Sequence, residues 1–285
     1  MKSINKVNTS YRHDEEQIDF YGTVNEDGTP HITMLTSLHI YDGDTFIWGE
    51  YSAGKSKRNQ RVRTKVGFLS VIGGTKAAAG KADWVESQKS GKMLDALNQI
   101  PEFRYNNVNG YSPAHILKKK AFEEIQFDLD EIKQASADIV GVLEKVGAGK
   151  KPEAVNVLTR QYFDAEQGFK VLAYVDKDGY PKLLAVPQAR LTQTNRLVFS
   201  EEYDKLLKSL PEGTSIAVYA IVYPSMCAVL VSGKLQRTEV NAKKYGVMDI
   251  ETVYNPMLPV AGQIFPPEEI KPVREFKDTI FEYNV

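Results

Sequence analysis

Cysteine is nearly absent from this chain of 285 residues, with Cys227 its only one. That excludes an intramolecular disulfide framework, and the apolar run from Met226 to Val231 makes Cys227 a packing residue rather than a nucleophile. Histidine is scarce as well. His13, His31, His39 and His115 are the four; the step from His31 to His39 is too long for a helical ligand pair and has no cysteine partner, so no metal site is expected and each reads as a satisfied or exposed imidazole. No apolar stretch approaches the length of a membrane span, and none follows the opening Met1-Lys-Ser-Ile-Asn-Lys6, from which a cytoplasmic location is expected. Net charge is only −1, so nothing global draws the chain to nucleic acid or to an anionic membrane. No Ser-His-Asp or Cys-His set stands out, and no catalytic side chain is assigned.

What is present is a soluble globular balance, 42% hydrophobic and 26% charged, on a chain long enough for two ordinary domains. From Gln17 it reads as strands. Ile18 to Val24 is apolar and aromatic, Asn25-Glu-Asp-Gly28 supplies a hairpin turn, and Pro30 to Ile40 is rich in β-branched residues. Tyr41-Asp-Gly-Asp44 turns the chain into Thr45–Gly49, and Val66–Ile72 is a further strand. Two hairpins in succession make an antiparallel meander. Residues 73–82, Gly-Gly-Thr-Lys-Ala-Ala-Ala-Gly-Lys-Ala, lack period and bulk and read as a loop or a flap over a site. Asp83 N-caps an expected helix through about Asn98, with Trp84, Met93, Leu94 and Leu97 on one face. Residues 101–117 read as an irregular aromatic segment, Lys118–Asp128 as a strand, Asp130–Lys145 as an amphipathic helix and Gly147–Pro152 as a linker.

The chemistry concentrates between Trp48 and Lys65. A strand ends at Gly49, and six of the eleven residues from Lys55 to Lys65 are Lys or Arg. A strand that opens into a cationic, hydroxyl-bearing helix start is suited to phosphate, because free backbone N–H groups and lysine charge meet the anion together. Gly49-Glu-Tyr-Ser-Ala-Gly54-Lys55-Ser56 also fits the Walker A pattern, which leaves a P-loop nucleotide-binding protein open as one reading. Against it, the following helix has room only from about Lys55 to Thr64, and the next strand ends in Gly73-Gly74 without a magnesium-binding Asp.

The chain then repeats itself. Asp27, Gly28 and Pro30 lie over Asp178, Gly179 and Pro181 at a constant offset of 151. The same offset carries Leu35 onto Val186, Phe46 onto Leu197, Trp48 onto Phe199 and Glu50 onto Glu201. Val66–Ile72 falls on Ser215–Ile221, with two residues fewer between. The division expected is a first β-rich unit over 1–150 and a second over 151–285. In the second, Lys55, Ser56 and Asn59 have no counterparts, and Glu202 and Asp204 stand where an anion would sit, so that copy is expected to have lost the phosphate site.

A strand ending in an Asp-Gly-x-Pro turn, the strand His31-Ile-Thr-Met-Leu-Thr-Ser37, a short strand, Gly54-Lys55-x-x-Arg58-Asn59, and a strand beginning seven residues after the Asn together resemble the FMN-binding split β-barrel family, the pyridoxamine 5′-phosphate oxidase-like proteins. The resemblance covers residues 15–72 well and 168–235 more weakly. It implies a mainly β fold with helical additions (α+β), built as two tandem antiparallel, Greek-key split barrels that form a pseudodimer within one chain. It implies FMN as cofactor, with Lys55, Ser56 and Asn59 at the phosphate and Arg58 nearby. Thr33, Met34, Leu35 and Thr36 would run along the isoalloxazine, and Trp48 and Gly49 would precede the phosphate turn. The end of the chain, Arg274 to Val285, lacks the oxidase's own Arg-x-His substrate site, so the oxidase itself is not expected. An FMN-dependent oxidoreductase and a non-catalytic electron carrier or sensor both remain open, as do a deazaflavin or haem ligand in place of FMN, the substrate, the electron donor and whether the chain is monomeric or dimerises further.

Overall fold

The computed structural model describes residues 17–49, 54–100, 103–104, 112–165, 168–201, 205–223, 225–257 and 261–267. The first half forms strands β1 (Gln17–Val24), β2 (Pro30–Leu35), β3 (His39–Ile40), β4 (Thr45–Gly49), β5 (Lys65–Ile72), β6 (Lys76–Gln88) and β7 (Ala114–Gln126), with helices α1 (Lys55–Val62), α2 (Lys92–Leu97) and α3 (Leu129–Val140). After a 3-10 turn at Pro152–Ala154 and helix α4 (Val157–Asp164) come β8 (Gly168–Val175), β9 (Pro181–Ala185), β10 (Arg190–Leu191), β11 (Arg196–Ser200), α5 (Lys205–Ser209), β12 (Ser215–Val222), β13 (Cys227–Val240), β14 (Lys243–Asn255) and β15 (Gly262–Phe265). Among the described residues no helix is long and apolar enough to cross a membrane.

The strand order makes the duplication explicit. The first sheet runs β2-β1-β5-β6-β7-β4-β3 and the second β9-β8-β12-β13-β14-β11-β10, with β15 added on β14. Adding seven to each strand number of the first sheet gives the second. The two Asp-Gly turns also match: Gly28 and Gly179 have φ of 84° and 82°, a region glycine enters without steric cost. Each sheet curls around its own interior, that of the first formed by Tyr21, Phe46, Trp48, Phe68 and Leu117. The fold is therefore mainly β, with two split barrels in tandem. All described strand pairs are antiparallel, so the parallel βαβ setting of a P-loop is missing from the segment that carries Gly54-Lys55-Ser56.

The barrels meet across one apolar cluster that draws equivalent residues from both: Phe20 and Val171, Ile32 and Leu183, Leu69 and Tyr219, Val71 and Ile221, Ala77 and Ala228, Ala79 and Leu230. A patch that pairs with its own copy is the interface of a two-fold dimer; here both copies belong to one chain. From the end of the first half, Ile139, Val142 and Val146 pack on Val198, Val240 and Val247 of the second sheet, and Lys243 Nζ pairs with Asp138 at 2.8 Å.

Three local expectations are corrected. Residues 73–82 are not a flap: Gly73 and Gly74, at φ 55° and 71°, make a turn, and β6 begins at Lys76. The helix expected from Asp83 is instead the continuation of β6 to Gln88, and only Lys92–Leu97 is helical. In both cases β6 lies between β5 and β7 and is hydrogen-bonded on each side, which outweighs weak local propensity. Lys65–Ile72 and Ser215–Val222 are the matching strands, so one residue rather than two is lost between the repeats before them. The expected helix after Lys118–Asp128 is present as α3, with Asp128 as its cap accepting from the N–H groups of Asp130 and Glu131. Pro101, Tyr105, Asn106, Asn107 and Tyr111 of the aromatic segment lie outside the described residues, as do Glu50, Glu202, Asp204 and the stretch from Arg274 to Val285.

Candidate functional site

Strands β2 and β4 and the start of α1 converge on one cleft. Thr33, Met34 and Leu35 line it from β2, Trp48 and Gly49 from β4, and Gly54, Lys55, Ser56 and Lys57 from the start of α1. Among these described lining residues there is no carboxylate. The space inside is about 90 Å³, room for a phosphate group and the atoms beside it.

Each element has a local reason for its position. Ser37, just past β2, bridges to β4: its hydroxyl accepts from Gly49 N–H at 3.0 Å and donates to Gly49 C=O at 2.9 Å. Gly49 must be glycine, since a Cβ there would overlap the Phe103 ring. Helix α1 begins at Gly54 with no side-chain cap from that residue and no acidic residue in its first turn, so no first-turn carboxylate competes with an external anion for the positive end of its dipole. The Ser56 hydroxyl is buried and has no hydrogen-bond partner. A buried donor left this way costs about 1–3 kcal/mol unless something completes it.

The far side of α1 is fixed to the barrel. Gln60, fully buried, accepts from Tyr21 OH at 2.7 Å and donates to His115 Nδ1 at 3.1 Å. His115 stacks on Trp48 with centroids 4.1 Å apart. Asn59 donates to Thr23 Oγ1 at 3.1 Å and Asn25 Oδ1 at 2.9 Å. Of the residues expected at the phosphate, Lys55 and Ser56 therefore line the cleft, whereas Asn59 ties the helix to the β1–β2 hairpin. Arg58 is exposed on α1, and it and Thr36, just beyond β2, are not among the lining residues.

The sequence reading missed several residues. His31 lines the cleft, buried rather than exposed. Burial, with Lys55 and Arg58 nearby, pushes its imidazole down to about 3, so it is neutral near pH 7 and can both donate and accept. Period-two spacing from Thr33 and Leu35 was the available signal. Tyr254, Pro256 and Ala261 come from the second half, and no local pattern announces them. Tyr254 meets His31 edge to face at 5.3 Å and carries Lys55 Nζ 5.7 Å from its ring centroid, within reach of a cation–π attraction.

The equivalent place in the second half is built differently. Lys182 and Glu123 occupy the positions of His31 and Tyr254 and form an ion pair of 3.4 Å. At the end of β11 the Glu201 carboxylate is buried and accepts from Arg237 Nε at 2.8 Å, and Arg237 also donates to Leu210 C=O at 2.6 Å.

No protein-family profile matches the chain, and no curated protein does. Solved structures do. An FMN-binding protein from Syntrophomonas wolfei is 12% identical, over 39% of this chain and 78% of that one, with a TM-score of 0.33. A protein related to general stress protein 26, of the pyridoxinephosphate oxidase family, from Clostridium acetobutylicum is 15% identical over 40% and 87%, with a TM-score of 0.31. The styrene monooxygenase flavin reductase of Pseudomonas putida S12 is 9% identical over 40% and 86%, with a TM-score of 0.27. FMN-binding and pyridoxinephosphate oxidase-family proteins are thus among the structures this chain is similar to, the same group its sequence resembles, while what the cleft holds rests on the cleft's own residues.

Proposed function

We propose that the chain is an FMN-binding flavoprotein that acts as an FMN-dependent oxidoreductase, with one FMN per chain in the cleft between β2, β4 and α1. The observation that carries this reading is the buried, unpartnered Ser56 hydroxyl beside Lys55 at the uncapped start of α1. A phosphate there would complete the Ser56 hydroxyl and meet the lysine charge and the positive end of the helix dipole together. The residues present fit the rest of such a cofactor in kind. Among the described strands β2 pairs with β1 alone; the Met34 backbone on its other edge meets the Tyr219 hydroxyl, and the remaining edge groups can face a heterocycle. Trp48 and Tyr254 supply apolar walls, and neutral His31 can hydrogen-bond without adding charge. When bound, FMN supplies the hydride or electron chemistry. The chain's part is to bind the phosphate, hold the ring and exclude water from one side of it.

The single stoichiometry is supported by the second half, where the Lys182–Glu123 ion pair stands in place of His31 and Tyr254 and the helix after β11 opens Lys205-Leu206, without a hydroxyl at the place of Ser56. The reading is tested by loading the protein with FMN and adding NADH or NADPH without oxygen. Bleaching of the flavin bands, followed by reoxidation with turnover when an acceptor is supplied, is expected. Bound flavin that accepts electrons only from a chemical reductant would favour a carrier or sensor, and failure to bind FMN would remove the proposal.

A further inference from the structure

A second cavity, about 220 Å³, opens where the mouth of the first barrel meets the β8–β9 hairpin of the second. Its floor is apolar: Phe68 and Phe122, with ring centroids 6.1 Å apart, lie beside Ala79 and Gly80, and Leu183 covers them from the other barrel. The duplication shows where the space comes from. In the first barrel Ala79 faces Glu123, Gly80 faces Phe122 and Lys81 faces Ala121. In the second, Leu230 faces Tyr254, Val231 faces Val253 and Ser232 faces Thr252. Ala79, Gly80 and Ala121 thus stand where the second barrel has Leu230, Val231 and Thr252. Gly80 itself cannot carry a Cβ, which would run into the Phe68 ring and the Ala121 carbonyl, so the small residue also lets Phe68 lie flat against the strand.

The lining carries both signs of charge in equal number, Lys81 and Lys182 against Glu123 and Asp176. Lys182 Nζ and Glu123 Oε1 are 3.4 Å apart and Lys81 Nζ and Asp176 Oδ2 3.6 Å apart, with all four side chains partly exposed. Ion pairs of this kind are weak and exchange readily for equivalent partners. A simple anion would meet two carboxylates here, whereas a molecule with an ammonium and a carboxylate on one carbon matches the Lys182–Glu123 pair charge for charge. An apolar cavity of about 150 Å³ accepts a benzene ring; the larger volume here leaves room for a short polar stem.

We propose that this cavity binds a single-ring aromatic α-amino acid, with its ring against Phe68 and Phe122, its carboxylate on Lys182 and its ammonium on Glu123. The site is separate from the cleft at Lys55 and does not depend on the flavin reading.

The test uses the full chain labelled with nitrogen-15 and titrated with L-phenylalanine. Saturable shifts are expected at the amides of Gly80, Lys81, Glu123 and Lys182. Ala121→Trp, made at an exposed position to block the mouth, should weaken binding at least about tenfold with an unchanged circular dichroism spectrum. Glu123→Gln should weaken phenylalanine and leave 3-phenylpropionate, which lacks the ammonium, unaffected. The proposal is overturned by any of four results: no saturable shift up to about 10 mM, shifts centred on Lys55 instead, equal binding in Ala121→Trp, or 3-phenylpropionate binding as tightly as phenylalanine.

Discussion

His31 and Tyr254, from opposite halves of the chain, meet edge to face with ring centroids 5.3 Å apart on the wall of the same cleft. The half that carries the Lys55-Ser56 helix start is therefore completed by a residue of the other half, whose corresponding helix opens Lys205-Leu206 without a hydroxyl at the second position. At the equivalent place, Lys182 and Glu123 close on each other as an ion pair. One fold used twice thus gives two unlike corners, one with neutral rings beside cations and one with its charges already matched.

Tyr254→Ala removes from the cleft a ring that also faces Lys55 Nζ and packs on the cluster between the barrels. FMN affinity, read by fluorescence quenching, is expected to fall about tenfold, with a lower melting temperature because that packing is lost, and with an unchanged circular dichroism spectrum. Unchanged affinity would mean that the second barrel does not complete the site.

His31 gives the fold a pH dependence of definite sign. Its imidazole is held down at about 3 in the folded chain and lies near 6.5 when unfolded. The unfolded chain therefore binds the extra proton between those values, and this contribution to stability is intact above about 6.5 and is lost as the pH falls toward 3. His31→Gln should flatten that part of a denaturation profile. An identical slope in wild type and variant would contradict the buried, neutral assignment.

Lys170 is fully buried in the second barrel with its amine unpartnered. Burial, with Arg190 nearby and Asp164 opposing, brings it down to about 7. Between about 7 and its unfolded value near 10.4 the unfolded chain alone holds the proton, so stability should rise with pH across that window. Lys170→Met should abolish the rise and stabilise the fold at neutral pH by about 1–3 kcal/mol, measured by urea denaturation at two pH values.

Much of the architecture was legible because the chain writes it twice. The Asp-Gly-x-Pro turns at Asp27 and Asp178 fix equivalent hairpins, and strands matched in order around them became sheets of the same strand order. Strand β6 was not legible, since Ala77, Ala78 and Ala79 have neither bulk nor β-branching and are made a strand by β5 and β7 on either side. Lys55 and Ser56 could be found because an anion site at a helix start is local in sequence. Asn59 could not be separated from them by sequence, because what turns it away is Thr23 and Asn25 on a neighbouring hairpin. Tyr254 enters through the packing of the two barrels, a contact no local pattern encodes.

The amount of FMN the chain binds is the most direct measure of the site at Lys55. Titration of cofactor-free protein, followed by absorption and fluorescence, should saturate at one equivalent per chain and fail in Lys55→Ala, with the circular dichroism of that variant unchanged. Two equivalents would show that the second barrel keeps a live site despite the Lys182–Glu123 pair, and binding unaffected by Lys55→Ala would place the cofactor elsewhere.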